Sequence, residues 1–237
     1  MNKTRMLFLL ALLSAFPPLS TDMYLPAIPL LVKLWQQPLA LVNLTLVGFF
    51  ISYCVFLLFY GPLSDRFGRR PLLLAGIGLF ILASLLCALA DGVVSMITFR
   101  VLQAAGAASA STLALAISKD IYDGHERERI LAYIGVIMAL APMLAPVFGG
   151  WILTWFSWRW IFFMNIPLGL CSLYGIASYF QEFRDKATGK NIDFLGAAIL
   201  SGFILGMLTL IMTGGRELEI ASLPYVLLAV TTFIAGI

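Results

Sequence analysis

Charge is what this sequence has least of. Asp, Glu, Lys and Arg supply 11% of its 237 residues, where a soluble domain carries about 25%. With 61% hydrophobic residues and a mean hydropathy of +0.98, that scarcity excludes an ordinary soluble fold. Histidine is nearly missing: His125 is the only one, in a charged loop where solvation is its expected role. Cysteine is sparse as well. Cys54, Cys87 and Cys171 each stand alone in an apolar run, with no CxxC pair and no histidine nearby. They read as small buried hydrophobes rather than a disulfide framework or a metal site. No nucleophile–base pair and no phosphate loop is present, so neither an enzyme nor a cofactor is expected. The net charge of +3 comes from cations sorted along the chain rather than gathered on one patch, which argues against a nucleic-acid partner.

What the sequence has instead is long apolar runs. About 20 helical residues at about 1.5 Å each cross a hydrocarbon core of about 30 Å. Runs at 6–30, 43–60, 72–90, 95–118, 130–153, 161–180 and 194–212 predict spanning helices, and 223–237 begins another. The runs are continuous, so the alternation of a transmembrane β-barrel is excluded. The expected fold class is an all-α polytopic membrane protein. A six-helix bundle covers 1–180, a loop follows at 181–193, and 194–237 holds one complete and one partial extra span. Lys3 and Arg5 before an apolar run resemble the start of a signal peptide, but Pro17, Pro18 and the apolar continuation through Leu31 favour a spanning helix.

The cations then set the topology. One side collects Lys3, Arg5, Arg66, Arg69, Arg70, Lys119, Arg127, Arg129, Arg184, Lys186 and Lys190; the other holds only Lys33, Arg159 and Arg216. Cytoplasmic loops carry the excess of Lys and Arg. The N-terminus is therefore expected in the cytoplasm, and the chain in a plasma membrane, the inner one of a bacterium.

Two charges remain inside the apolar runs, Asp22 and Arg100. An ionisable group at membrane depth is costly and normally faces a partner or a wet cavity. Counted along their spans, Asp22 lies about 24 Å and Arg100 about 22 Å above the cytoplasmic edge. They are level, so neighbouring first and fourth spans would let them pair. Snorkelling of each to the outer interface is the plainer alternative. A carboxylate tuned by a guanidinium is what a proton-coupled carrier needs.

The third feature is the short charged hairpin at 61–70. Gly61 would allow close helix approach, Asp65 would cap the next span, and Arg66, Arg69 and Arg70 would sit at the anionic inner leaflet. In the fifth span, Pro146 with Gly149 and Gly150 would kink and thin the helix.

These residues resemble a known family. Gly61-x-Leu-Ser-Asp65-Arg66-x-Gly68-Arg69-Arg70 resembles the loop 2–3 signature of the major facilitator superfamily. Arg100-x-x-Gln103-Ala-Ala-Gly106 resembles its span-four motif, with Ala104 where glycine is usual. Ala141-Pro-Met-Leu-Ala145-Pro146-Val-Phe-Gly149-Gly150 resembles the span-five motif of the drug:proton antiporters, with alanine at 141 and 145 as in the bicyclomycin/chloramphenicol-resistance (Bcr/CflA-type) group. The run Thr21-Asp-Met-Tyr-Leu-Pro26 is similar to that group too.

The resemblance implies roles. Asp22 and Arg100, with Gln103 and Tyr24, would be the proton-coupling and substrate-facing residues. The hairpin would form a cytoplasmic latch through Asp65 and Arg69. The span-five motif would sit where the other half of the transporter docks. Partners would be small amphipathic drugs or solutes, protons and the lipid bilayer. Tyr24, Tyr53 and Tyr133 are candidate cavity walls, with helix packing as the plainer role. The stretches Asn165-Ile-Pro-Leu-Gly169 and Asp193-Phe-Leu-Gly-Ala-Ala-Ile-Leu200 look more like the fourteen-span drug antiporters. A second six-helix half is absent from the sequence. A truncated chain is the preferred expectation, and pairing with a second copy or a separate second half is the alternative. The expected function is proton-coupled multidrug efflux by alternating access. An uptake symporter on the same scaffold and an inactive, interacting membrane fragment are the rivals.

Overall fold

A computed structural model of the chain describes residues 3–180. The chain divides into two compact units, Met1–Thr188 and Gly189–Ile237. The expected loop at 181–193 and the spans at 194–212 and 223–237 lie outside the described residues.

The described chain is helical throughout: α1 (Lys3–Asp22), a short 3-10 turn (Leu25–Ala27), α2 (Ile28–Trp35), α3 (Leu39–Phe67), α4 (Arg69–Ala88), α5 (Val93–Ile121), α6 (Gly124–Trp155), α7 (Arg159–Phe163) and α8 (Asn165–Tyr179). Among these residues six helical stretches are long and apolar enough to cross a membrane. The protein is a multi-pass helical membrane protein.

Three element boundaries differ from the sequence expectation. The first span is not one helix. It stops at Asp22 and restarts at Ile28, because Pro26 and Pro29 carry no backbone N–H with which to continue the α1 ladder. The second span does not end at Gly61. It runs on through Pro62 to Phe67, with the Ser64 hydroxyl bonded to the Gly61 carbonyl. The hairpin is therefore a single-residue break at Gly68, whose φ of 97° and ψ of 153° suit only glycine. The stretch 124–129, expected as loop, forms the first turns of α6.

The core has two tiers. One is built around Leu13, Phe16, Phe49, Leu73, Phe80 and Leu113. The other is built around Met23, Leu31, Val42, Cys87, Met96 and Phe162. Helix α5 runs through both and is the most enclosed span, 72% of its apolar window being buried. Its run of small residues lets α4 come close. A β-carbon on Gly106 would lie 2.5 Å from the Phe80 backbone nitrogen, so backbone packs on backbone there. Helices α3 and α6 are the least enclosed, at 22% and 17%.

Candidate functional site

Between the two tiers lies a layer of buried polar residues. Ser20 supplies it from α1, Thr45 from α3, Ser84 from α4, Arg100 and Gln103 from α5, and Asn165 from α8. Arg100 is its centre and is wholly buried. One terminal nitrogen, Nη1, donates to the Ser20 carbonyl at 2.8 Å and to Gln103 Oε1 at 2.8 Å. Gln103 Nε2 in turn donates to Ser84 Oγ at 2.8 Å. A hydrogen-bonded chain thus crosses the bundle from α1 through α5 to α4.

Aromatic rings hold the guanidinium from its other sides. Its carbon lies 4.2 Å from the Tyr24 ring centre, 5.1 Å from Phe49 and 5.3 Å from Phe162. Such cation–π contacts strengthen when desolvated. The break in the first span creates this arrangement. It frees the Ser20 carbonyl at the C-terminal end of α1, where the helix dipole is negative. It also turns Tyr24 inward, where its hydroxyl lies 3.0 Å from Thr45 Oγ1.

The expected ion pair between Asp22 and Arg100 is not formed. The first and fourth spans are neighbours, as that pairing required, but Arg100 takes the Ser20 carbonyl two residues before Asp22. Asp22 is half-buried, and its Oδ1 accepts the Thr21 hydroxyl at 3.4 Å. Among the described residues no carboxylate lies within ion-pair distance of Arg100. The site is a buried cation stabilised by a carbonyl, an amide and three rings, with a carboxylate next door.

The hairpin holds a second cluster. Arg69 pairs with Asp65 at 2.8 Å and with Asp120 of α5 at 2.9 Å, and it donates to Ser64 Oγ. Asp65 is thus engaged by Arg69 and does not cap α4. Arg70 donates to the Ala177 carbonyl of α8 at 2.9 Å, and Arg66 lies over the Phe67 ring. A β-carbon at Gly61 would meet nothing within 4 Å, so Gly61 is not a point of close approach. Asp120 was missed because it looked like one more charge in a hydrophilic stretch; its signal was the position at the last turn of the fourth span.

In α6, Ala145 and Gly149 are buried. A β-carbon on Gly149 would lie 2.2 Å from the Met23 carbonyl oxygen, so this face packs on the break in the first span. Ala141 and Pro146 are partly buried, and Gly150 faces open space. The family model described as Major Facilitator Superfamily matches residues 10–237.

The chain belongs to the Major Facilitator Superfamily. Its family and fold are those of transporters rather than enzymes. It is 35% identical to the uncharacterized MFS-type transporter YdgK of Bacillus subtilis, over 84% of this chain and 54% of that protein. It is 35% identical to a multidrug resistance protein B homolog of Mycobacterium tuberculosis, over 68% of this chain and 30% of that protein. A chloramphenicol resistance protein of Pseudomonas aeruginosa is 36% identical over 64% of this chain and 37% of its own length. The chain thus spans about half or less of the curated relatives it matches. In fold it is similar to the human organic anion transporter MFSD10 (TETRAN), with a TM-score of 0.61 at 16% identity, over 86% of this chain and 55% of that one.

Of the other residues singled out in this superfamily member's sequence, Tyr24 and Gln103 join the Arg100 site. Tyr53 stacks on Phe49 at 6.1 Å between ring centres. Tyr133 is exposed on α6 and accepts from Arg129 Nε at 3.2 Å. His125 is exposed beside Glu128. Asn165 entered the sequence reading only as part of a motif. Its signal was a lone carboxamide in an apolar run.

Proposed function

We propose that this chain supplies one half of a drug efflux carrier that exchanges small amphipathic drugs for protons by alternating access. The observation that carries the reading is the wholly buried Arg100 beside the broken first span, with no carboxylate in ion-pair range among the described residues. A charge kept at membrane depth marks a functional site by default. Drug efflux, rather than uptake, is supported by relatives named for multidrug and chloramphenicol resistance.

Asp22 is the proton carrier in this reading. A proton from outside binds its carboxylate and removes the negative charge two residues from the Ser20 carbonyl that holds Arg100. Release of the same proton inside restores that charge and its pull on the guanidinium. Tyr24 links the two events, since it follows Asp22 in the break and lies against Arg100. Arg100 and Gln103 face the drug. The hairpin cluster of Asp65, Arg69 and Asp120 lies on the cytoplasmic side and latches this half to a second one. The outward face of α6, with Met143, Val147 and Trp151 exposed, lines that junction, while Ala145 and Gly149 are buried within this half. The N-terminus is cytoplasmic, in a bacterial inner membrane.

The test is a drug-susceptibility and dye-efflux assay in a pump-deficient bacterium. It compares this chain, its Asp22→Asn variant and an empty vector, each with and without a co-expressed second half from a relative. Energised efflux above vector that disappears with Asp22→Asn supports the proposal. Membrane-inserted protein that moves no drug under either condition overturns it.

A further inference from the structure

Helix α3 is one of the two least enclosed spans, yet one stripe of it is sealed inside the bundle. Val42, Thr45, Phe49 and Ser52 are buried, spaced three and four apart as a single helical face requires. Two of them reach toward α5. The Phe49 ring lies against Arg100, and Ser52 Oγ donates to the Val101 carbonyl at 2.8 Å. Thr45 reaches the first span instead. It is wholly buried, and its Oγ1 lies 3.0 Å from the Tyr24 hydroxyl.

The direction of that bond follows from counting hydrogens. A threonine hydroxyl has one to give. Thr45 gives it to the Val42 carbonyl of its own helix at 2.7 Å, the backbone bond that hydroxyl side chains commonly make within helices. Thr45 therefore accepts from Tyr24, and Tyr24 donates. The Tyr24 ring lies 4.2 Å from the Arg100 guanidinium carbon and 5.6 Å, centre to centre, from the Phe162 ring. Such ring contacts hold a side chain in place but tie it to no single direction, whereas the hydroxyl bond does. The backbone around Tyr24 is weakly held, because it lies in the break. Its N–H donates to the Thr21 carbonyl at 3.1 Å and its carbonyl accepts from Ala27 at 2.9 Å. One side-chain bond to α3 thus anchors a segment that has little helical ladder of its own.

We infer that Thr45 is a positioning residue of the carrier: by accepting the Tyr24 hydroxyl it ties the break in the first span to α3 and holds the Tyr24 ring over Arg100. Thr45 acts through Tyr24 and makes no contact of its own with the guanidinium. Asp22 lies two residues before Tyr24, so a rearrangement that begins at Asp22 is carried to α3 through this bond. Without the bond, the break moves and α3 does not follow. The inference deepens the reading of Arg100 and Asp22 as the transport site and rests on it.

The experiment has two arms, both on the full chain. The first is hydrogen–deuterium exchange in lipid nanodiscs, read at residues 22–28. Thr45→Val keeps the side-chain shape and removes the acceptor; Tyr24→Phe removes the same bond from the other end and keeps the ring. Each should speed exchange in this segment about tenfold, the scale of one hydrogen bond. Thr45→Ser should restore protection. The double variant should match the singles, because contacting residues are not additive. The second arm is dye efflux with the co-expressed second half, per amount of inserted protein. Thr45→Val should lower the maximal rate about threefold to tenfold with the half-saturating dye concentration unchanged, and Thr45→Ser should recover it. Unchanged exchange at 22–28 in both single variants overturns the inference alone. So does faster exchange in every helix without rescue by serine, because that is a packing role. Faster exchange confined to 22–28 with a wild-type efflux rate leaves the bond real but removes its part in transport, and so overturns the inference too. If the wild-type chain moves no dye, the carrier reading falls and the inference falls with it.

Discussion

At the scale of single residues, space rather than residue type decides what matters. Gly149 and Gly150 are neighbours of identical chemistry, yet a β-carbon on the first would sit 2.2 Å from the Met23 carbonyl oxygen and one on the second would meet nothing within 4 Å. The clash is with backbone, which cannot rotate away. Gly149→Ala should therefore destabilise the protein by about 1–3 kcal/mol, the usual cost of overpacking. Gly150→Ala should change stability by less than about 0.5 kcal/mol. Thermal unfolding of the detergent-solubilised variants separates the two, and equal midpoints would refute the packing assigned to α6. The same scale governs Gln103. Its side chain accepts from Arg100 and donates to Ser84, so Gln103→Leu removes one hydrogen bond from each, while Arg100 Nη1 keeps the Ser20 carbonyl and Ser84 keeps the Phe80 carbonyl. A loss of about 0.5–1.5 kcal/mol is expected for each bond removed. The sequence marked Arg100 because a charge stands out in an apolar run, and Gln103 only through the motif it shares with Arg100. It could not tell Gly149 from Gly150, nor show that Arg100 takes a carbonyl rather than Asp22, because both depend on where the first helix breaks.

At the scale of elements, the spans were legible and their ends were not. Hydropathy reports the stretch at lipid depth, whereas α3 and α5 are each 29 residues long, about 44 Å at 1.5 Å per residue. Their last turns stand beyond the hydrocarbon, where charged residues continue a helix without cost. The hairpin shows the consequence. With α3 carried to Phe67 and α4 starting at Arg69, the whole reversal falls on Gly68 at φ 97° and ψ 153°. Any side chain there is strained by about 1–3 kcal/mol, so Gly68→Ala should lower the unfolding midpoint by several degrees. Asp120→Asn provides the contrast. Asp120 pairs with Arg69 but is 35% exposed, and an ion pair open to water contributes under about 1 kcal/mol. Its midpoint should stay within about two degrees of wild type. A larger fall for Asp120→Asn than for Gly68→Ala would mean that the charge cluster, not the backbone, sets the hairpin.

At the scale of the whole molecule, two properties come from different sources. Which helix lies at the centre was hidden in the sequence. Lipid is as apolar as a protein core, so an enclosed span and a lipid-facing one look alike in composition. Only packing shows that α5 is enclosed while α3 and α6 present open apolar faces. Orientation, by contrast, is written in the cations, since long-range sidedness follows Lys and Arg in short loops. Among the described residues eight fall on the side of the hairpin and two, Lys33 and Arg159, on the other, so the hairpin and the start of α6 are expected inside the cell, and the α4–α5 turn outside. Single cysteines test this directly. In a background with Cys54, Cys87 and Cys171 replaced by serine, Asp91→Cys and His125→Cys place a thiol at two sites whose native side chains are 97% and 103% exposed. A membrane-impermeant maleimide added to intact cells, with any outer membrane first made permeable, should label Asp91→Cys at once. It should label His125→Cys only after the inner membrane is opened. The reverse pattern would put the hairpin outside and remove the latch from the side where this reading needs it. Labelling of both sites in intact cells would mean that the charge bias does not fix a single topology for this chain.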